Sequence, residues 1–370
     1  MGGDLVTLFL SGDVMLGRGV DQILPHPGDP ALSEPYVRDA RAYVEMAEEV
    51  NGTIPRPVPF SWPWGEVLPV LDAAAPDVRL LNLETSVTRS DDAAAGKEVL
   101  YRMHPANLPC LAVARPDVCV LANNHVLDYG RRGLDETLAA LAAAGLRTAG
   151  AGRDLDDARR CASVALPGGG RVHVVSLGME SSGVPPDWAA APQRSGVHFA
   201  AEPSPAVAAQ VTARLRETKR PGDVTVVSLH MGSNWGYGIP RDQVRFAHAL
   251  VDGGADIVHG HSSHHPRPVE VYRGKLVLYG CGDLINDYEG IGGYQRYRDD
   301  LRLLHVVSVV AATGTLHEMR VTPLQARRMR LVGASRVDCR SVYEVLSRIS
   351  HGLGVRMHAE QDGSVTVRPS

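Results

Sequence analysis

Seven short runs of almost unbroken apolar residues recur along the first three quarters of the chain: LVTLFLSGD (5–13), VRLLNLE (78–84), VCVLANN (118–124), VHVVSLG (172–178), VTVVSLH (224–230), ADIVHGH (255–261) and KLVLYGCGD (275–283). They do not alternate apolar with polar, so both faces of each must be covered, as in strands of a largely parallel sheet. Helical patterns fall between several of them. GLDETLAALAAAGL (133–146) puts Leu134, Leu138 and Leu141 on one face, with Gly145 placed to end the helix. Segments 204–217 and 241–253 read the same way, the second with Pro240 near its start. This alternation predicts a layered α/β fold.

Two stretches interrupt the pattern. Residues 25–64 and 180–203 are rich in Pro and polar residues, and are expected to be long insertions that lid a site. The triple glycine at 168–170 precedes a strand and reads as a hairpin turn, not a phosphate loop. From about residue 305 the chain alternates like antiparallel strands joined at Thr313-Gly314. The end holds a helix (SVYEVLSRISHGL) and a strand pair around Asp362-Gly363, so the expected division is a main domain over 1–330 and a small α+β extension over 331–370, which is either an appended unit or a cap on the sheet.

Composition narrows the function. A formal charge of −4 and a pI near 6.4 give no basic footprint for nucleic acid. No 18-residue apolar run is present, so no membrane span is expected. MGGDLVTLFLSGDVML lacks a basic n-region and reads as a first strand, not a leader. Five widely spaced cysteines with no CxxC read as reduced thiols, and with the rest predict a cytoplasmic protein. A homo-oligomer is left open.

The polar residues lie at the ends of the apolar runs. Asp13 follows LFLSG, Glu84 follows LLNL, Asn124 and His125 follow VLAN, and His230 ends VVSL; then HGHSSHH (259–265) offers four histidines in seven residues. Carboxyl ends of strands converge on one crevice in open α/β sheets, so these groups can meet around a ligand. Imidazole, carboxylate and amide oxygen together suit Mn, Fe or Zn, and so many donors make room for two divalent ions bridged by a carboxylate. His259 and His265 flank the expected ligands and read as supporting or surface groups. No GxSxG elbow is present, so a serine nucleophile is set aside.

In order, GDVMLGR, NLETSVT, ANNHVLDYG, a strand ending LHMG, GHSSHH and VEVYRGKLVLYGCGD resemble the CapA family, the poly-γ-glutamate capsule biosynthesis group of the calcineurin-like metallophosphoesterase superfamily. The resemblance covers roughly residues 5–290 and implies a four-layer α/β/β/α sandwich with a metal crevice at the sheet's end. It implies metal ligands at Asp13, Glu84 (bridging), Asn124, His230, His261 and His264, with two divalent ions bound. It implies that His125 is the acid or transition-state group and that Asp128 orients it or reaches the metal shell. Met15 stands where the superfamily usually has His, Asn234 where the family often has an acid, and Asp283 where it usually has Asn.

Arg18, Arg102, Trp235 and Tyr237 are expected to read the substrate, because arginine matches an anionic oxygen pair and the aromatics lie beside His230. Arg18 lies nearest the metal motif in sequence. The expected activity is hydrolysis of a phosphate ester on a small anionic molecule, through metal-activated hydroxide with His125 as acid. Two alternatives stand beside it: hydrolysis or transfer at a γ-glutamyl-type amide, and a non-catalytic component of polyglutamate or capsule synthesis. The retained His125 weighs against the last.

Overall fold

The computed structural model describes residues 4–370. All seven apolar runs contribute strands, and Val78–Leu83 and Val224–His230 are buried along their whole length. The strands divide between two large mixed sheets. The ten-stranded sheet runs Val355–Ala359, Val365–Pro369, Leu316–Ala326, Leu301–Val310, Leu5–Val14, Val78–Leu83, Val118–Val120, Arg147–Ala149, with Asp283–Ile285 and Leu331–Gly333 paired at its sides. Pairing is parallel from Leu5–Val14 to Arg147–Ala149 and antiparallel on the other half. The seven-stranded sheet runs Phe199–Ala200, Arg171–Met179, Val224–His230, Ile257–His261, Lys275–Leu278, Val269–Tyr272, and Ala162–Ala165 pairs with Arg171–Met179.

Successive side chains of a strand point to opposite faces, so a continuous apolar run feeds two cores at once. Leu8 and Leu10 join Leu80, Val174, Val226 and Ile257 in a cluster to which both sheets contribute. Phe9, Leu81 and Cys119 face the other way and pack with Val44, Leu71, Leu134 and Leu141 from helices. On the second sheet, Val175, Leu177, Val227 and Leu229 pack against Leu215, Phe246 and Leu250 of the helices Pro205–Thr218 and Arg241–Asp252. The helix expected over 133–146 spans Gly130–Ala143; Gly145 adopts φ +74° and donates to the Ala142 carbonyl, which closes the last turn.

The structure revises two details of the expected layout. Insertion 25–64 contains the helix Arg41–Asn51, whose Tyr43, Val44 and Ala47 are buried; the polar residues on its outer face conceal that stripe in the sequence. The run KLVLYGCGD is not one strand. It leaves the second sheet after Leu278 and re-enters as Asp283–Ile285 beside Leu5–Val14 on the first sheet. Gly12 permits that crossing, because a Cβ there would meet the Gly282 carbonyl oxygen at 1.7 Å. The terminal strand pair extends the ten-stranded sheet through Val365–Pro369 on Leu316–Ala326.

Candidate metal centre

Strand register builds the centre. On the first sheet Asp13 is the pairing partner of Asn82 on one side and Asp283 on the other, which sets three polar side chains in a row. On the second sheet His230 is the partner of His261. Two groupings of buried donors result, each with its ligand atoms within 4.8 Å of one another: Asp13, His230 and His261; and Asp13, His264 and Asp283. Asp13 belongs to both. Two separate His/Asp clusters sharing one carboxylate are the arrangement expected of a pair of adjacent metal positions.

The remaining ligand candidates close around these. Asn82 Nδ2 donates to Asp13 Oδ1 at 2.7 Å and to Glu84 Oε2 at 2.8 Å, so one amide spans two carboxylates. Glu84 Oε1 lies 3.7 Å from His230 Nε2, and Asn124 Oδ1 lies 3.0 Å from the same nitrogen. His230 and His261 face each other Nδ1 to Nδ1 at 2.8 Å. Ser228 Oγ lies 2.9 Å from His261 Nε2 and 3.1 Å from His259 Nδ1, while His259 Nε2 reaches the Ser11 carbonyl. His264 Nδ1 lies 2.9 Å from Asp283 Oδ1, and Asn286 donates to Asp283 Oδ2.

The electrostatics fit a cation. Burial, reinforced by Glu84 and Asp283, pushes the Asp13 carboxyl well above the usual range, and burial with Asp283 raises Glu84 to about 8. Burial, and then neighbouring imidazoles, holds His230 and His261 well below the ordinary histidine value. Burial opposes ionisation of Asp283 and His264, but their mutual attraction wins, lowering the acid and raising the imidazole. No Lys or Arg among the described residues forms an ion pair with Asp13, Glu84 or Asp283; their basic neighbours at that range are histidines. Asp13 Oδ2 is buried without a hydrogen-bond partner. A crowd of carboxylates and neutral imidazoles with an orphaned oxygen is chemically suited to divalent metal.

His125 stands beside these donors, not among them, with Nε2 at 4.0 Å from Glu84 Oε1. Its Nδ1 meets Asp128 Oδ2 at 2.7 Å, and Tyr101 N–H donates to the same oxygen at 2.6 Å. Burial outweighs the attraction of Asp128 and lowers the His125 value to about 4. Lys97 reaches in from the loop 88–101 to bond Asp128 Oδ1 and the Asn124 carbonyl.

The four residues expected to read the substrate are placed differently. Arg18 is buried, and every guanidinium nitrogen is engaged: Nε and Nη2 with Asp287 at 2.8 and 2.6 Å, Nη1 with Glu34 at 3.1 Å, and Nη2 also with the Tyr101 hydroxyl. It ties together segments distant in sequence, with four of its five N–H groups given to Asp287, Glu34 and Tyr101. Arg102 donates to the Ser90 and Asp29 carbonyls and covers the Tyr129 ring. Trp235 lies over the centre's rim, 5.4 Å ring to ring from His264, and stacks on Tyr294 at 3.9 Å. Tyr237 is one ring further out, edge-on to His265. Sequence reading passed over Lys97 and Asn82, because neither ends an apolar run. Their only signal is proximity to the motifs, Asn82 lying two residues before Glu84.

The sequence comparison bears on the same residues. The family model for the bacterial capsule synthesis protein PGA_cap matches residues 7–288, a span that includes every donor described above. The chain belongs to the PGA_cap family. A "Probable polyglutamine synthesis accessory protein" of Mycobacterium tuberculosis is 53% identical over 368 residues, covering 99% of this chain and 97% of that protein. The "PGA biosynthesis protein CapA" of Bacillus subtilis is 28% identical over 302 residues, with 80% of this chain and 66% of that one covered. A solved structure from Thermus thermophilus overlays at a TM-score of 0.36 and 10% identity over 85% of this chain and 98% of that one, too distant to bear on the fold. For this PGA_cap member no helix among the described residues is long and apolar enough to cross a membrane.

Proposed function

We propose that the chain is a metal-dependent hydrolase that cleaves a phosphate ester of a small anionic molecule. The observation that carries this reading is the shared carboxylate: Asp13 belongs to two buried His/Asp clusters, while His125 stands beside them and belongs to neither. Asp13, His230 and His261, with Asn124, would hold one ion, and Asp13, His264 and Asp283 the other, with Glu84 between them. When bound, two such ions (Mn, Fe or Zn) supply Lewis acidity and water of lowered pKa. The chain's own residues do the rest. His125 faces the departing oxygen through Nε2, Asp128 holds its ring, and Trp235 and Tyr237 wall the approach.

A cavity of about 410 Å³ lined by Lys97, Gly183, Arg131 and Trp188 lies next to Asn124. The three core clusters support the four-layer α/β/β/α reading, and residues 331–370 are proposed as an extension of the 1–330 domain. Five free cysteines accord with a cytoplasmic site of action.

Two other readings draw on the relatives' names. Polyglutamine and PGA synthesis point to γ-glutamyl amide chemistry at the same centre, or to an accessory role without turnover. Elemental analysis, combined with assays for phosphate release from an aryl phosphate and for amine release from a γ-glutamyl anilide, separates the three. Metal with phosphate release supports the proposal. Metal with amine release alone moves the bond to the amide, and metal-free, inactive protein after Mn, Fe and Zn have been supplied overturns the enzyme reading.

A further inference from the structure

Two residues compete for one nitrogen of His125. Lys97 Nζ lies 2.9 Å from Nδ1, and Asp128 Oδ2 lies 2.7 Å from the same atom. An imidazole nitrogen has a single in-plane position, filled either by a proton or by a lone pair. With the proton there, Nδ1 donates to Asp128 and Nε2 is a bare acceptor. With the lone pair there, Nδ1 accepts from the Lys97 ammonium and Nε2 carries the N–H. The ring is neutral in both states.

The surroundings satisfy both arrangements. In the first, Lys97 still donates to Asp128 Oδ1 and to the Asn124 carbonyl. In the second, Asp128 Oδ2 keeps the Tyr101 N–H at 2.6 Å but faces the Nδ1 lone pair at 2.7 Å, a repulsion that the Lys97 ammonium, bonded to Asp128 Oδ1 and 2.9 Å from Nδ1, has to offset. An Asp–His pair without the lysine would hold the ring in the first state alone, because the carboxylate accepts and cannot donate. Nε2 is the nitrogen turned to the metal centre, 4.0 Å from Glu84 Oε1, so the choice at Nδ1 decides whether the centre meets a lone pair or a donor.

We propose that Lys97 is a positioning residue that makes the Nε2–H tautomer of neutral His125 accessible, so that His125 can offer a hydrogen bond to an oxygen gaining negative charge. This rests on the reading of His125 as the residue that meets the reacting oxygen. A donor already in place when charge develops is worth more than one that must first be protonated.

The test is the pair of ring ¹⁵N shifts of His125 in full-length, metal-free protein, assigned by comparison with His125→Gln. Wild type is expected to show both nitrogens at averaged values, Lys97→Met a locked Nδ1–H signature, and Asp128→Asn a shift towards Nε2–H. Far-UV circular dichroism checks that each variant is folded, and Asp128→Asn supplies the opposite displacement if Lys97→Met does not fold. A wild-type ring already locked as Nδ1–H, or shifts that neither variant moves, overturns the proposal. In the phosphate-release assay, Lys97→Met should lower kcat about tenfold or more with KM little changed. Tautomer shifts as expected without hydrolysis by wild type would sink the hydrolase reading and leave the role of Lys97 standing; hydrolysis with unmoved shifts would do the reverse.

Discussion

His230 and His261 occupy paired positions on neighbouring parallel strands, and their Nδ1 atoms lie 2.8 Å apart. Two lone pairs at that distance repel unless a proton or a cation lies between them. One ring's N–H donating to the other's lone pair satisfies the pair as it stands, and a metal beside Asp13 could instead draw on both nitrogens.

The sharing of Asp13 predicts a stoichiometric pattern. Wild type should bind about two divalent ions per chain, His261→Ala and His264→Ala about one each, and Asp13→Ala close to none. Inductively coupled plasma analysis of protein purified without chelators reads this directly. Equal loss in the two histidine variants down to zero would mean a single, indivisible site.

Arg18 illustrates a buried charge whose removal is costly. Arg18→Ala leaves Asp287 and Glu34 buried with no cation, and should destabilise the fold by about 3–5 kcal/mol. Denaturant midpoints measure this. A loss under about 1 kcal/mol, the range of an exposed pair, would show that the knot is solvated.

Gly12 is the residue that lets the chain cross between sheets. Gly12→Ala puts a methyl group into the Gly282 carbonyl, and should cost about 3 kcal/mol or more because backbone, not a side chain, must move. The same shift would carry Asp13 and Asp283 apart, so metal content should fall with stability. Unchanged melting and metal binding together would contradict this account of the crossing.

Acid lability should come from buried histidines away from the donors. Burial holds His198 at about 4 and His305 at about 3, below the unfolded value near 6.5. The unfolded chain therefore takes up these protons first as pH falls. Their contribution is complete above about 6.5 and is lost as pH falls to about 4 for His198 and about 3 for His305, on the order of 3–5 kcal/mol each. His305→Leu should flatten the fall in melting temperature between pH 6.5 and 4; an identical profile would assign the acid limb to other groups.

Much of this centre could be read from the chain itself. Continuous apolar runs demand burial on both faces, which determined the sheet, and the polar residue at the end of each run marked Asp13, Glu84, Asn124, His125, His230, His261 and His264. Both are local properties: a strand's period and its last residue do not depend on what lies opposite. The tertiary structure decided everything that depends on which atoms meet. Arg18 sits next to the metal motif in sequence, yet a partner 269 residues away takes up its guanidinium. Asp283 reads as the end of one strand and becomes the start of another beside Asp13 because Gly12 lets two backbones touch. Lys97, in a loop with no periodicity to betray it, reaches His125 only because the loop 88–101 folds back on the strand ends. Periodicity reports which residues are buried; pairing across the chain reports what they are buried against, and the chemistry of this site depends on the second.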